Sequence, residues 1–157
     1  MHAEEQNQAV RATAAALDAA AEPLAGLWNA GPGTVRPAVS PQQLRVMLAV
    51  EDEEPMTLGR LAEQIDVIAS SASRICDRLQ AAGLLSRSVS AADRREVLLR
   101  LTTDGRSVLD RLRQRRRRDL AEVLSRMSPE ARGLLLEGLR SFAHATRKGR
   151  ASSVRTA

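Results

Sequence analysis

The chain has 157 residues and a formal net charge of +5, and Trp28 and Phe142 are its only large aromatic side chains. This length suits one domain, and a core without aromatic rings must consist of Leu, Val, Ile, Met and Ala, which favours helices packed on helices. The single cysteine, Cys76, excludes an intrachain disulfide and a metal site built from several cysteines. Because no apolar run reaches the ~18 residues of a membrane span and no leader-like segment opens the chain, we expect a soluble, cytoplasmic protein without membrane partners.

An Ala-rich stretch predicts a first helix over residues 3–22, which Pro23 kinks or interrupts and the Gly-Pro-Gly of 31–33 ends. The next helix begins at "SPQQLRVMLAVE", where Ser40 is the expected N-cap and Pro41 fits the first helical position. The polar stretch "EDEEP" that follows marks a break in the chain.

Two short helices with a tight turn between them come next. Thr57 is the expected cap of "TLGRLAEQI", the turn lies near Asp66, and the helix "IASSASRICDRLQAAG" stops at Gly83. The expected apolar stripe of the second helix consists of Ile68, Ala72, Ile75, Cys76 and Leu79.

The apolar pattern then changes from helical to alternating. Two runs, 84–89 and 96–101, flank a polar tip and predict an antiparallel hairpin with a long loop. Two short helices joined by a tight turn and followed by such a hairpin form a winged helix-turn-helix.

Two helices follow the hairpin. Thr102 or Thr103 caps a long helix that runs to about Arg126, and Ser128 with Pro129 begins the last one. We expect the tail, 149–157, to be disordered. The predicted fold is therefore mainly α with a small β-hairpin, in a single domain (1–157) with its winged helix-turn-helix lobe over 40–101.

The second short helix turns a small, hydroxylated face away from the predicted core. Such a face fits a major groove and offers donors to phosphates and base edges. The candidate DNA-contacting residues are Ser70, Ser71, Ser73, Arg74 and Arg78. Arg74 is the longest of them and has the geometry for a bidentate bond to guanine. The alternative is the ordinary solvent-facing side of an amphipathic helix.

The tip of the predicted hairpin carries Asp93, Arg94 and Arg95. Two arginines beside an aspartate suit a narrow minor groove, where the negative potential is strongest, and the carboxylate can orient one guanidinium. A solvated turn with a weak ion pair is the alternative.

Positive charge is concentrated in one part of the chain. Residues 68–118 hold 13 arginines and 5 acidic residues, whereas the rest holds 11 basic and 14 acidic residues. A basic segment of this kind points to a polyanion, and double-stranded DNA is the first candidate.

The run "RLRQRRRRDL" lies in the predicted long helix. Four consecutive arginines, 115–118, span more than one turn and cannot share one DNA-facing surface. The apolar stripe of the helix passes through Arg115 or Arg116, so one of them should lie on the packed face. It then forms either an inter-helix ion pair, with Asp18 or Glu22, or a contact to an anionic effector.

The stretches "TLGRLAEQI", "SSASRICDRLQAAGLLSR", "DRREVLLRLT" and "TDG" resemble the MarR family of bacterial transcription regulators. The resemblance is strongest from about Ser40 to Arg106 and extends more loosely over nearly the whole chain. It implies a homodimer whose terminal helices, here 3–30 and 103–148, intertwine and present two winged lobes to a pseudo-palindromic operator, as a repressor in many members.

By the same resemblance the recognition helix is 68–82 and the wing is 84–101. Arg95 would enter the minor groove, Asp93 would hold it, and Arg94 would face a phosphate. The family's wing tip usually has a proline before the aspartate, and "SAAD" replaces it here. Many members release DNA on binding a small anionic or phenolic ligand, and others on oxidation of a cysteine. Cys76, on an apolar stripe, is expected to be an inert core residue rather than a redox sensor.

We expect no enzymatic activity, no cofactor and no metal. His2 and His144 lie near opposite ends of the chain, and neither a phosphate-binding glycine loop nor an HExxH motif is present. Two other functions stay open. A non-specific or architectural nucleic-acid binder would bind all sequences alike, and a protein-interaction module would leave Arg74 and Arg95 unused.

Overall fold

The computed structural model describes residues 2–29, 36–90 and 96–154. The chain forms two compact units, Met1–Arg117 and Arg118–Ala157. The elements in chain order are helix α1 (His2–Asn29), helix α2 (Pro41–Asp52), strand β1 (Met56–Thr57), helices α3 (Leu58–Gln64) and α4 (Ala69–Ala81), strands β2 (Leu85–Val89) and β3 (Val97–Leu101), and helices α5 (Thr103–Ser125) and α6 (Pro129–Val154). The predicted mainly helical fold with a winged helix-turn-helix is confirmed.

Local capping chemistry defines where the helices of the lobe begin. Ser40 caps α2 in a full capping box: its hydroxyl accepts from the Gln43 N–H at 3.2 Å, and the Gln43 side chain accepts from the Ser40 N–H at 2.8 Å. Thr57 caps α3 by accepting from the Arg60 N–H. The backbone of Gly83 ends the turn after α4 with φ of 72°, a conformation that glycine adopts without strain.

Three expectations about helices differ from the structure. Helix α1 runs without interruption through Pro23 to Asn29, although Pro23 was expected to kink or interrupt it. Helix α6 extends to Val154 and so includes most of the segment assigned to the tail. Ile68 does not belong to the apolar stripe of α4, because it is the N-cap residue in an extended conformation and its side chain is 70% exposed.

The wing is part of a three-stranded antiparallel sheet with strand order β1-β3-β2. The predicted antiparallel hairpin is present, and it pairs Leu85 with Leu101 and Val89 with Val97. Strand β1 was not predicted. Its residues Met56 and Thr57 pair with Leu99 and Leu98, on the side of β3 that faces away from β2. The residues directly before α3 are thereby hydrogen-bonded to the wing.

The core lies between helices α2 to α5 and the inner face of the sheet. It consists of aliphatic side chains and sulfur-containing ones, as the composition requires, and its fully buried members include Val46, Met47, Val50, Met56, Leu61, Cys76, Leu79, Leu99, Val108 and Leu109. Within the described ranges, no helix is long and apolar enough to span a bilayer.

The start of α5 is packed directly on the backbone at the base of the hairpin. Thr102 donates from its hydroxyl to the Gly83 carbonyl at 2.6 Å and accepts from the Gly105 N–H at 3.0 Å. A Cβ at Gly105 would lie 2.2 Å from the Leu84 carbonyl oxygen, so only glycine fits this contact.

Two acidic side chains, Glu51 in the last turn of α2 and Glu54 just after that helix, bind α5. Glu54, whose side chain is 14% exposed, accepts from the Leu101 N–H at 3.1 Å and forms a bidentate ion pair with Arg106, with N–O distances of 2.8 and 2.9 Å. Two turns further along α5, Arg113 forms a second bidentate ion pair, with Glu51.

Arg106 hydrogen bonds hold the pKa of Glu54 below its ordinary value of 4.5, against the opposing effect of burial. A carboxyl whose pKa is lower in the folded chain stabilises it at pH above the unfolded value and loses this contribution as the pH falls through the folded value. Glu54→Gln should therefore be less stable than the unmodified chain at pH 7, and the difference should shrink as the pH falls below 4.5. Urea denaturation at fixed chain concentration from pH 7 to pH 3.5 measures this. The matched variant is Glu63→Gln at an exposed position of α3. A stability difference at Glu54 that stays constant with pH would contradict the assignment.

Candidate nucleic-acid interface

Helix α4 presents the predicted hydroxyl and arginine residues on its outer side. Ser70, Arg74 and Arg78 are exposed, and Ser71 and Ser73 are half-buried at the edges of this face. The Arg74 guanidinium lies 3.4 Å from the Ser71 hydroxyl. Neither Arg74 nor Arg78 forms an ion pair with an acid among the described residues, so both guanidinium groups are available to an anionic partner.

Helix α2 contributes a side chain to the same surface. A shallow cavity of about 280 Å³ lies beside α4, and the residues around it are Gln42, Val67, Ser71, Arg74, Ile75 and Arg78. Sequence reasoning missed Gln42, because nothing in the first turn of α2 indicates that this turn lies beside α4. Its amide adds a donor and an acceptor beside two guanidinium groups, an arrangement that suits phosphate and base edges.

Arg87 on β2 is a second residue that the sequence analysis missed. One guanidinium nitrogen lies 2.7 Å from an Asp77 carboxylate oxygen, and another donates to the Ser73 carbonyl at 3.0 Å. Leu85 and Arg87 project from the same face of β2, where the alternating pattern places buried residues. An arginine at an inward position of a strand was the signal available in the sequence.

Cys76 lies under this contact and is fully buried. Burial raises the pKa of the Cys76 thiol, and the neighbouring Arg87 guanidinium offsets only part of that effect. The thiol is thus the form present at neutral pH, and a buried thiol is a poor nucleophile.

The hairpin is closed beyond its last strand pair by a hydrogen bond from the Ser90 N–H to the Glu96 carbonyl, 3.0 Å long. The predicted wing-tip residues Asp93, Arg94 and Arg95 lie outside the described residues. Their assignment to the minor groove stays a prediction.

The arginine run of α5 is divided among several environments. Arg116 is half-buried, with its guanidinium carbon 5.3 Å from the centre of the Trp28 ring on α1, a cation–π contact. Burial, together with the charge of Arg113, lowers the pKa of Arg116. In the described part of the chain neither Asp18 nor Glu22 forms an ion pair with Arg116, and Arg115 is exposed. Trp28 thus takes the place of the carboxylate that sequence reasoning expected.

Histidine, cysteine and acidic side chains do not gather into a metal-binding group anywhere in the described residues. The polar residues that the structure brings together are the outer face of α4, Gln42 and the base of the wing. These groups donate hydrogen bonds and carry positive charge, which is the chemistry of binding to nucleic acid.

Comparison with known proteins agrees with this geometry. Residues 39–96 match the model of the MarR family. The chain is 28% identical over 101 residues to the HTH-type transcriptional regulator YfiV of Bacillus subtilis, covering 64% of this chain and 63% of YfiV. It is also 28% identical over 92 residues to the HTH-type transcriptional repressor MdtR of the same organism, covering 59% of each.

The matched segments thus span about three fifths of the length of these two curated relatives. Among solved structures, the chain is similar to RV1404 from Mycobacterium tuberculosis, with a TM-score of 0.78 and 29% identity over 87% of this chain and 93% of that one. The winged lobe, residues 39–96, thus matches the MarR family, and the chain has the fold of RV1404 and is similar to HTH-type transcription regulators.

Proposed function

We propose that the protein is a sequence-specific DNA-binding repressor that acts as a homodimer on a pseudo-palindromic operator. The observation that carries this proposal is the outer face of α4, where small hydroxyl side chains flank two arginines that no acid of the described chain neutralises. A small face lets a helix enter the major groove, and unneutralised guanidinium groups supply both phosphate contacts and guanine recognition.

The roles we assign follow from position. Arg74, near the middle of the exposed face, reads a base edge, and Ser70, Ser71 and Ser73 contact phosphates or bases close to the helix. Arg78, one turn further along α4, binds the phosphate backbone of the DNA. At the wing, Arg95 enters the minor groove with Asp93 orienting it, and Arg94 contacts a phosphate.

Exposed apolar residues on both terminal helices support a homodimer, because a single chain does not cover them. On α1 the residues Ala9, Val10, Thr13, Ala14 and Leu17 line a shallow apolar groove. On α6 the exposed large apolar residues are Leu134, Leu135, Leu136, Leu139 and Phe142. Apolar surface of this extent on two helices is typical of a subunit interface.

The dimer places two copies of α4 against successive major grooves, with half-sites about one helical turn apart. Repression is supported by MdtR, the relative named as a repressor. A dimer bound across a promoter excludes polymerase by occupancy.

Release by a small anionic or phenolic ligand is supported by Arg116 and Trp28. A guanidinium without a carboxylate partner in the described residues, stacked on an indole, offers a carboxylate both a charge-assisted bond and an aromatic surface. Arg115, the neighbouring candidate for this role, is exposed.

A non-specific or architectural DNA-binding protein is the alternative function. Such a protein would share the basic segment, but it would not need a recognition helix and a wing, because it contacts phosphates and not bases. The ratio of specific to non-specific affinity at one salt concentration separates the two, because a value near one favours the alternative. A suitable specific probe is a duplex selected in vitro with this chain, and its shuffled sequence is the non-specific one.

Arg95→Ala should weaken binding to the selected duplex by about 1–3 kcal/mol and lower the slope of affinity against salt by about one. Fluorescence anisotropy titrations at four salt concentrations measure both. Arg117→Ala removes the same charge from an exposed position on α5 and should change both duplexes equally and slightly. Unchanged affinity in Arg95→Ala would remove the wing tip from the mechanism.

Leu139→Arg should dissociate the dimer, because it places a charge in the apolar face of α6. We expect the dimer dissociation constant from analytical ultracentrifugation to rise by about 100-fold or more. His144→Arg adds a similar charge to the polar face of the same helix and serves as the matched control. Equal dissociation constants for the two variants would exclude this face from the interface.

Benzoate is a suitable probe for the effector site, and Trp28, the sole tryptophan, reports on it by fluorescence. We expect a saturable change in Trp28 emission, with an affinity about tenfold lower in Arg116→Ala, since a charge-assisted bond is lost. Arg117→Ala should leave the titration unchanged. Equal affinity in all three chains would place effector binding elsewhere.

A further inference from the structure

We propose that Arg87 is a positioning residue that locks the recognition helix α4 to the wing, so that the two elements contact DNA as one rigid unit. This inference rests on the proposed function, because it concerns how the DNA-reading elements are held. Arg87 itself is not assigned a contact to DNA.

The lock has two contact points on α4. From β2, the Arg87 side chain reaches the Ser73 carbonyl at 3.0 Å and the Asp77 carboxylate at 2.7 Å. These residues are four positions apart and lie one above the other on the same side of the helix. A guanidinium fork spans both points, whereas an ammonium group would serve only one of them at a time.

The surroundings make the guanidinium rigid. The Arg87 side chain is 23% exposed, and its Nε is buried without a hydrogen-bond partner among the described residues. The contacts to Ser73 and Asp77 and the surrounding packing leave the guanidinium little freedom to move. The fully buried Cys76 lies beside it and closes the inner side.

The charge of Arg87 is committed to Asp77. Asp77 is 57% exposed on α4, on the helix that carries the DNA-contacting arginines, and an unneutralised carboxylate there would repel phosphates. Arg87 neutralises it from the protein side. Its effect on DNA binding therefore passes through α4.

The position of β2 extends this effect to the wing. β2 leads directly to the hairpin tip, and β3 pairs with it from Leu85–Leu101 to Val89–Val97. Fixing α4 to β2 thus fixes the separation between the major-groove residues Arg74 and Arg78 and the wing. Only a cognate duplex requires a set separation, because non-specific binding depends on phosphate charge alone.

The test compares Arg87→Ala and Arg87→Lys with Arg100→Ala, which removes a charge from an exposed position on the neighbouring strand β3. Each purified full-length chain is titrated with the selected duplex and with its shuffled sequence at several salt concentrations. For Arg87→Ala we expect about a tenfold loss of specific affinity, the size of one lost base contact, and a much smaller loss for the shuffled duplex.

Arg87→Lys should restore the affinity for the shuffled duplex, because it neutralises Asp77, but not the preference for the selected one. Asp77→Asn in the Arg87→Ala background should likewise recover non-specific binding only. Equal losses for both duplexes in Arg87→Ala, with a salt slope lower by about one, would show a phosphate contact and overturn the proposal. Full recovery of specificity in Arg87→Lys would overturn it as well.

A measurement without DNA tests the lock separately. Hydrogen exchange of the α4 amides should be faster in Arg87→Ala than in Arg100→Ala, with both chains folded as judged by circular dichroism. Unchanged exchange in α4 would overturn the lock whatever the DNA titrations give. A parent chain that binds both duplexes equally would contradict the proposed function and the DNA-reading role of Arg87, while the exchange rates still decide whether the lock exists.

Discussion

The carboxylate of Glu54 is the group on which the arrangement of the lobe depends. It accepts one hydrogen bond from the backbone of β3 and two from the first turns of α5, and it belongs to the segment between α2 and β1. One side chain therefore joins the helix that begins the lobe, the strand at the centre of its sheet and the helix that leaves it. The Glu51–Arg113 pair repeats the link further along α5. A partly buried carboxylate is tolerated there because all of its charge is matched by donors.

The arginines of this chain are best understood by what each one contacts. Arg87, Arg106 and Arg113 form ion pairs within the fold, and Arg116 lies over an indole ring. On α4, by contrast, Arg74 and Arg78 meet no acid in the described residues. Net charge thus overstates the positive surface that is free to meet an anionic partner, because four of the 13 arginines of residues 68–118 contact groups within the fold.

The sequence predicted the elements whose signals are local. Ser40 and Thr57 cap helices through bonds to residues three positions away, and the alternating pattern indicated the hairpin. Strand β1 was not predicted, because two residues are too few to show an alternating pattern and because its pairing with β3 joins positions over 40 residues apart. Ile68 was misplaced because hydrophobicity alone does not reveal a cap residue that projects outward.

The candidate site was predictable to the same extent. The outer face of α4 follows from helical periodicity, so the sequence alone predicts its serines and arginines. Gln42 and Arg87 were not, since each joins the site through packing between elements that are distant in sequence. The sequence placed Arg115 or Arg116 at the packed face, and Arg116 is the half-buried one; its partner, Trp28, depends on how α1 meets α5.

The contact between Gly105 and Leu84 gives α5 a mechanical property. Because helix backbone rests on loop backbone with no side chain between them, no change of rotamer can absorb a displacement there. The first turns of α5 are also fixed by buried Val108, Leu109 and Leu112, and by the ion pairs of Arg106 with Glu54 and of Arg113 with Glu51. A movement of this part of α5 would therefore have to displace the main chain at the base of the hairpin as well.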